Sequence, residues 1–359
     1  MTAAPVPPFA LRLVRWQREH GRHDLPWQHT GDPYRVWLSE IMLQQTQVAT
    51  VIPYYLRFVA AFPDLAALAA APLDRVLEHW SGLGYYRRAH HLHAAARTCV
   101  ERHGGELPRE VTALAALPGV GRSTAAAIAV LAFGAREAIL DGNVKRVLAR
   151  HRGVEGHPGA ARVERALWQL AVSLLPTADV GTYTQALMDL GAAVCTRARP
   201  NCVGCPVSSD CVAVASNRVA DLPAPRPAKG LPRRALTVLL VERAGLLLLE
   251  KRPPAGIWAG LWSLPEMAVG DDISEHCRRT LGFDAVAIAE ALPPLEHGFT
   301  HFRLTLHPLR VAVRGVVARE EAPGRLWLSR DDAIGAALPA PIRKLLVGLG
   351  GPIRRSPSR

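Results

Sequence analysis

Residues 195–211 read CTRARPNCVGCPVSSDC, so four of the chain's six cysteines fall within seventeen positions, separated by six, two and five residues. Three uses of such a group compete. Disulfides are disfavoured wherever thiols are kept reduced. A structural zinc ion takes four thiolates in a tetrahedron. A [4Fe–4S] cluster needs four thiolates spread around a larger body, and long outer gaps suit it better than paired two-residue knuckles. The spacing favours the cluster and leaves zinc open. Arg197 and Arg199 lie inside the first gap, where they can meet phosphates. Cys99 and Cys277 stand apart and read as small buried residues.

Working outward, the cysteine stretch closes a long helical run. Segments 34–60, 64–70, 73–80, 85–103, 122–133, 143–151, 161–174 and 182–194 carry apolar residues at three- and four-residue spacing. Asp32-Pro33, Pro63-Asp64, Gly82-Leu83-Gly84, Gly104-Gly105 and Pro118-Gly119 punctuate them. Beyond the cysteines the character changes. DLPAPRPAKGLPR (221–233) holds four prolines and reads as a linker. ALTVLLVERAGLLLLEKR (235–252) predicts two strands around Ala244-Gly245, and FRLTLHPLRVAV (302–313) predicts more strand. RDDAIGAALPAPIRKLLVGL (330–349) closes in helix. The expected architecture is an all-α domain over 1–220 holding the cysteine loop, a Pro-rich linker over 221–234, an α+β domain over 235–350 and a flexible tail over 351–359.

Bulk properties fit this division. A chain of 359 residues is long for one core, and a hydrophobic fraction of 49% is that of a folded protein. The formal charge of +12 points to a polyanionic partner, of which nucleic acid is the common one, although a generally basic surface reads the same way. The opening MTAAPVPPFA lacks a charged start followed by an apolar run, and no stretch is apolar enough to span a bilayer. The expectation is a monomeric protein of the bacterial cytoplasm, associated with the nucleoid and not with a membrane.

Leu117-Pro118-Gly119-Val120-Gly121 lies between two predicted helices. Gly119 and Gly121 would permit a tight turn and let backbone N–H groups approach a phosphate, helped by the positive end of the next helix. A plain Gly-capped turn gives the same string. Glu40 sits in VWLSEIMLQQTQV, on an otherwise apolar helix. Burial there would raise its pKa and suit a general acid near neutral pH. The competing reading is a solvent-facing Glu near the helix start, favoured by the helix dipole. Asp141 and Asn143, in ILDGNVKRVLA, read equally as helix caps.

Taken together, the six-two-five cysteine spacing after a helix, the LPGVG hairpin and the DGN segment some twenty residues on resemble the helix–hairpin–helix glycosylases related to endonuclease III. SEIMLQQTQ, GLGYYRRA and ILDGNVKRV resemble the adenine DNA glycosylase (MutY-type) branch. The resemblance implies a structural [4Fe–4S] cluster on Cys195, Cys202, Cys205 and Cys211, and a duplex DNA partner with adenine opposite 8-oxoguanine or guanine. It implies that Glu40 protonates the flipped base, that Asp141 stabilises the oxocarbenium-like sugar, and that Asn143 orients the site. Trp27 and Gln185 match positions near the adenine pocket, and Gln45 and Tyr85 match the wedge beside the opposite base. Core packing competes for Tyr85 and is the preferred reading of Tyr86. Gly119, Gly121, Ser123 and Lys145 would contact phosphates. Lyase-type relatives carry Lys where Ser123 stands, so a monofunctional enzyme is expected.

Residues 235–350 resemble a Nudix fold, which makes a nucleotide hydrolase the rival. That chemistry needs a Glu-rich helix for Mg²⁺, whereas SEHCRRTLGF places Arg278 and Arg279 on that ground, so a recognition role is expected. His297-Gly298-Phe299-Thr300-His301-Phe302 matches the family loop that reads 8-oxoguanine, which implies Phe299, Thr300 and His301 as its contacts, with Thr300 where many relatives have Ser. A strand-adjacent loop with an aromatic pair competes. Two other functions stay open: a pyrimidine-lesion glycosylase/AP lyase of the endonuclease III type, and a non-catalytic DNA-binding iron–sulfur sensor.

Overall fold

The computed structural model describes residues 8–227, 230–283, 285–314 and 323–349. The expected tail, 351–359, lies outside the described residues. Two compact units form: Met1–Ala70 with His91–Ala228, and Ala71–His90 with Lys229–Arg359. The segment 71–90, read from sequence as part of the helical domain, thus clusters with the second unit.

The first unit is helical. Its core gathers Leu13, Val144, Leu148, Leu167, Ala186 and Leu190, all inaccessible to solvent, from helices Phe9–His20, Gly142–Arg152, Ala161–Ser173 and Val180–Asp189 and from the turn Leu190–Val194 that follows. Two expected helices come out differently. The predicted 34–60 helix is two, Pro33–Leu43 and Val48–Ala61, because the polar run Gln44-Gln45-Thr46-Gln47 has no apolar face to bury. Gln45 adopts φ +59 there, and Thr46 N–H donates back to the Leu43 carbonyl. The predicted 182–194 helix widens after Asp189 into a π-helical turn, Leu190–Val194. Gly191 permits this, since a Cβ on it would lie 2.5 Å from Asn143 Cβ.

The second unit carries a mixed eight-stranded sheet: β1 Arg233–Arg243, β2 Leu246–Lys251, β3 Trp262–Ser263, β4 Glu266–Met267, β5 Ala285–Ala291, β6 Leu295–Gly298, β7 Arg303–Arg314 and β8 Arg325–Ser329. The path runs β3-β2-β1-β7-β5, with β4 on β1, β6 on β7 and β8 on β2. β1 and β7 pair in parallel, and β1 and β2 form the expected hairpin. Its turn residues Ala244 and Gly245 have φ +49 and +83, the positive pair a two-residue hairpin with right-handed strand twist requires. Leu239, Val241, Leu248, Cys277, Leu281 and Val311 fill its core. Helices Arg330–Gly335 and Ala340–Gly348 close the chain as predicted. No helix among the described residues is long and apolar enough to cross a membrane.

Candidate active site

A cleft of about 1320 Å³ opens in the first unit, and its walls include Trp27, Glu40, Gln45, Gly121, Ser123, Asp141, Asn143 and Gln185. Eight residues read from separate motifs therefore meet in one cavity. Glu40 belongs to the last turn of helix Pro33–Leu43, not the start. The reading of Glu40 as a dipole-favoured N-terminal carboxylate is thereby corrected, since the negative end of a helix disfavours a carboxylate. Burial, and next the charge of Asp141, push the Glu40 carboxyl up to about 7.

Asp141 is the N-cap of helix Gly142–Arg152, and its Oδ1 accepts from Val144 N–H at 2.7 Å. The capping reading and the cleft-lining reading are both true of it. Burial raises its pKa, while the N–H groups of Val144 and Asn143 and the cations Arg146 and Lys145 pull the other way. Burial dominates both carboxyls and raises both; a like charge adds to the rise at Glu40, whereas N–H donors and cations oppose it at Asp141.

Ser123 Oγ accepts from Leu140 N–H at 2.9 Å, so the hairpin helix Arg122–Phe133 holds the backbone just before Asp141. Gly119 turns at φ +77, and a Cβ there would lie 2.6 Å from His91 Cβ. Gly121 has φ −86 and open space around it, so its conformation does not require glycine. Lys145 is ion-paired with Glu164 at 2.6 Å and does not line the cleft. Trp27 is buried and meets the Tyr55 ring edge-on at 5.2 Å.

Sequence reasoning missed the groups that hold these side chains. The Gln185 amide nitrogen donates to Asp189 Oδ1 at 2.9 Å. An ionised carboxylate only accepts, so the Gln185 amide has its NH₂ on Asp189 and its carbonyl oxygen left for the cleft. Arg22 Nε bonds the same oxygen at 2.8 Å, and Arg22 N–H bonds the other at 2.9 Å, with Asp189 fully buried. Arg146 donates to Asn143 Oδ1 at 2.9 Å, to Gly191 O at 2.5 Å and to Cys195 O at 2.7 Å. The buried Arg150, one turn on, donates to Thr196 O at 2.7 Å, to Leu222 O at 2.8 Å and to Cys195 Sγ at 3.3 Å.

None of the six cysteines is paired in a disulfide. Burial first, then Cys195, Cys211 and Cys202 nearby, push the Cys205 thiol up to about 11. Among the described residues no group of three or more His, Cys, Asp or Glu side chains stands ready to hold a metal ion. Cys99 and Cys277 are buried, as read from the sequence, and burial alone pushes each thiol up to about 11. Leu222, at the head of the expected linker, packs on Cys211 and Ala213.

In the second unit, residues 299–302 form the turn between β6 and β7, closed by Phe299 N–H on Phe302 O at 2.9 Å. Phe299 stacks on Phe302 at 4.4 Å, so the aromatic pair is present. Thr300 and His301 are exposed, with Thr300 Oγ1 3.4 Å from His301 Nδ1. Glu275 is paired with Arg278 and Arg279. Tyr85 is exposed at φ +49, while Tyr86 is buried.

Comparison with known proteins gives these arrangements a family. Residues 38–172 match the HhH-GPD superfamily base excision DNA repair proteins, and residues 237–347 match the NUDIX domain. The chain is 36% identical to the adenine DNA glycosylase of Mus musculus, over 95% of this chain and 78% of that protein. It is 32% identical to the adenine DNA glycosylase of Buchnera aphidicola subsp. Baizongia pistaciae, over 94% of this chain and 95% of that one. Among solved structures it is similar to a thermostable thymine-DNA glycosylase, with a TM-score of 0.52 and 31% identity over 58% of this chain and 95% of that one. A helical unit that places a raised Glu40 and a capped Asp141 in one cleft, a NUDIX unit behind it in sequence, and relatives matched over 94% and 95% of this chain agree: the chain belongs to the adenine DNA glycosylase family.

Proposed function

We propose that this base-excision repair glycosylase removes adenine mispaired with 8-oxoguanine or guanine in duplex DNA by hydrolysing the N-glycosidic bond, without cutting the backbone. The observation that carries the reading is the meeting of Glu40 and Asp141 in one cleft with their proton affinities set by different surroundings. A base inside a duplex cannot reach such a cavity, so the adenine is flipped. Gln185 O accepts from its exocyclic amine, and Trp27 gives an apolar wall. Glu40 donates its proton to N7 of the base, and the C1′–N9 electron pair leaves with the base. The Asp141 carboxylate stabilises the cationic sugar. Water then adds to C1′, and its proton returns to Glu40.

The AP-lyase alternative needs an amine at the sugar. None of the residues lining the cleft is a lysine, and Lys145 is engaged by Glu164. The four thiols suit an iron–sulfur group by donor chemistry: all are soft sulfur ligands in one loop, electrostatically coupled, with a buried guanidinium on Cys195 Sγ. Bound there, a [4Fe–4S] cluster supplies cross-linking of the loop, while glycosidic cleavage belongs to the carboxylates. Gly119, Gly121 and Ser123 are assigned to the phosphate backbone, Gln45 and Tyr85 to the wedge, and Phe299, Thr300 and His301 to the oxidised base. The formal charge of +12 supports DNA as the partner, and action on nucleoid DNA in the cytoplasm, as a monomer, is part of the same proposal.

The test is adenine release by purified protein from duplexes with adenine opposite 8-oxoguanine or guanine, beside oxidised-pyrimidine duplexes. Adenine release without strand cleavage is expected. Release of oxidised pyrimidines with strand cleavage would replace this reading with the lyase one.

A further inference from the structure

The Tyr85 loop is built into the second unit. Gly82, Gly84 and Tyr85 have φ +99, +76 and +49, so three of four consecutive residues are left-handed, and one of them is a bulky aromatic that rarely adopts this conformation. Something must hold it. The Gly84 carbonyl accepts from Trp80 Nε1 and from Arg88 Nη2, each at 3.1 Å, and the Arg88 guanidinium lies 5.4 Å from the Tyr85 ring centre. Those contacts are local. The next ones reach about 250 residues along the chain.

Tyr86 Oη donates to the Leu338 carbonyl at 3.0 Å and accepts from Gly82 N–H at 3.2 Å. Ser81 Oγ donates to the same Leu338 carbonyl at 3.4 Å and accepts from Arg343 Nη2 at 2.8 Å. Arg343 also donates to Ala336 O at 2.7 Å, and Trp262 N–H in β3 donates to Ala337 O at 2.9 Å. The turn 336–338 is therefore fixed to the sheet, and the Tyr85 loop is fixed to the turn. At the far end of the segment, His90 Nε2 meets Ala259 O at 3.0 Å. Trp258, the neighbouring residue, is buried and packs on His297 at 6.0 Å and on Phe299 at 5.7 Å between ring centres.

We infer that Tyr86 is a positioning residue for the Tyr85 wedge, clasped through its hydroxyl to Leu338, so that the wedge and the 299–301 reading loop share one scaffold. This rests on the assignment of Tyr85 as the wedge. The scaffold makes wedge insertion depend on the NUDIX unit as well as on the helical one. A merely structural Tyr86 would affect folding and leave insertion unchanged.

The test uses full-length protein and a duplex with 8-oxoguanine opposite a non-cleavable 2′-fluorinated deoxyadenosine, with 2-aminopurine beside the 8-oxoguanine. Its fluorescence rises when the wedge unstacks that step. Tyr86→Phe keeps the ring and removes the hydroxyl, and Ser81→Ala removes the second link. Both are expected to cut the amplitude to near that of Tyr85→Ala and to weaken the preference for 8-oxoguanine over guanine roughly fivefold, the weight of one buried hydrogen bond. The thermal midpoint should stay within about 5 °C of wild type. A full signal in Tyr86→Phe and Ser81→Ala, with Tyr85→Ala lost, overturns the clasp alone. A full signal in Tyr85→Ala overturns the wedge assignment and the clasp with it. Should Tyr86→Phe fail to fold, Ser81→Ala carries the comparison.

Discussion

Replacing Glu40 by Gln keeps the side chain's shape and removes its proton as a catalytic resource. Burial and the neighbouring Asp141 hold this carboxyl at about 7, so about half of the molecules carry the proton at pH 7. At the ordinary value of 4.5 only about 0.3% would do so, so the surroundings multiply the competent fraction roughly 150-fold. The rate of adenine release in a single turnover should accordingly be steady below neutrality and fall about tenfold per pH unit above pH 8. On the acid side Asp141 must be ionised, and burial raises its pKa, so a second fall is expected there. The two limbs belong to the coupled pair rather than to either residue alone. Glu40→Gln should lose at least about 100-fold in rate, the usual weight of a positioned general acid, and should lose the alkaline limb with it. Binding to a non-cleavable duplex should be unchanged.

Stability gives an independent check with its own sign. Glu40 has a folded pKa above its unfolded one, so between about 4.5 and 7 the folded chain holds a proton that the unfolded chain releases. Its contribution is therefore full below that window and erodes as pH rises through it. Glu40→Gln should remove this erosion and raise the thermal midpoint at pH 8. A rate that rises through pH 7 and stays high, or a Gln variant within tenfold of wild type, would refute the assignment of Glu40 as the acid.

Three further outcomes follow from the supporting residues. Asp189→Asn breaks a buried pair with Arg22 and releases the Gln185 amide; denaturant unfolding should show a loss of about 3 kcal/mol, and a loss below about 1 kcal/mol contradicts the pairing. Gly191→Ala would put a Cβ 2.5 Å from Asn143 Cβ, and should slow excision at least about tenfold with duplex binding retained, as a displacement of positioning groups does. Arg150→Gln removes donors from Cys195 Sγ, Thr196 O and Leu222 O, so iron and sulfide per chain should fall; unchanged iron content would mean that the loop holds its cluster without this arginine.

The parts of the site legible in the sequence are those whose chemistry lies in contiguous strings. The cysteine spacing, the LPGVG turn, Glu40 and Asp141 each sit in such a string, and the hairpin at Ala244-Gly245 was readable from alternation and turn chemistry. Their supports were not, because these join distant positions: Arg22 to Asp189 spans 167 residues, and Tyr86 to Leu338 spans 252. Periodicity also misled at 34–60, where apolar spacing runs through the Gln44–Gln47 break without registering it. The same error put Glu40 near a helix start. Helical spacing in 71–90 likewise says nothing about which unit the segment clusters with, and it clusters with the second.

Placing the helix ends correctly explains why two carboxylates in one cleft take different parts. Glu40 stands in the last turn of Pro33–Leu43, where exposed carbonyls make the field negative and a proton is retained. Asp141 caps the first turn of Gly142–Arg152, where N–H groups make the field positive and an ionised carboxylate is favoured. Two helices thus bring ends of opposite polarity to the cleft, one beside each carboxyl. The second helix then continues the arrangement outward. Arg146 and Arg150, four residues apart, project from one face of it. Through them the backbone that caps with Asp141 also grips Cys195 and Thr196. A shift of the cysteine loop therefore acts first on Asn143 and the anion, and only through them on Glu40. Loss of the loop's order should depress the rate across the whole pH range and, by drawing the Asp141 charge away from Glu40, move the alkaline limb to lower pH.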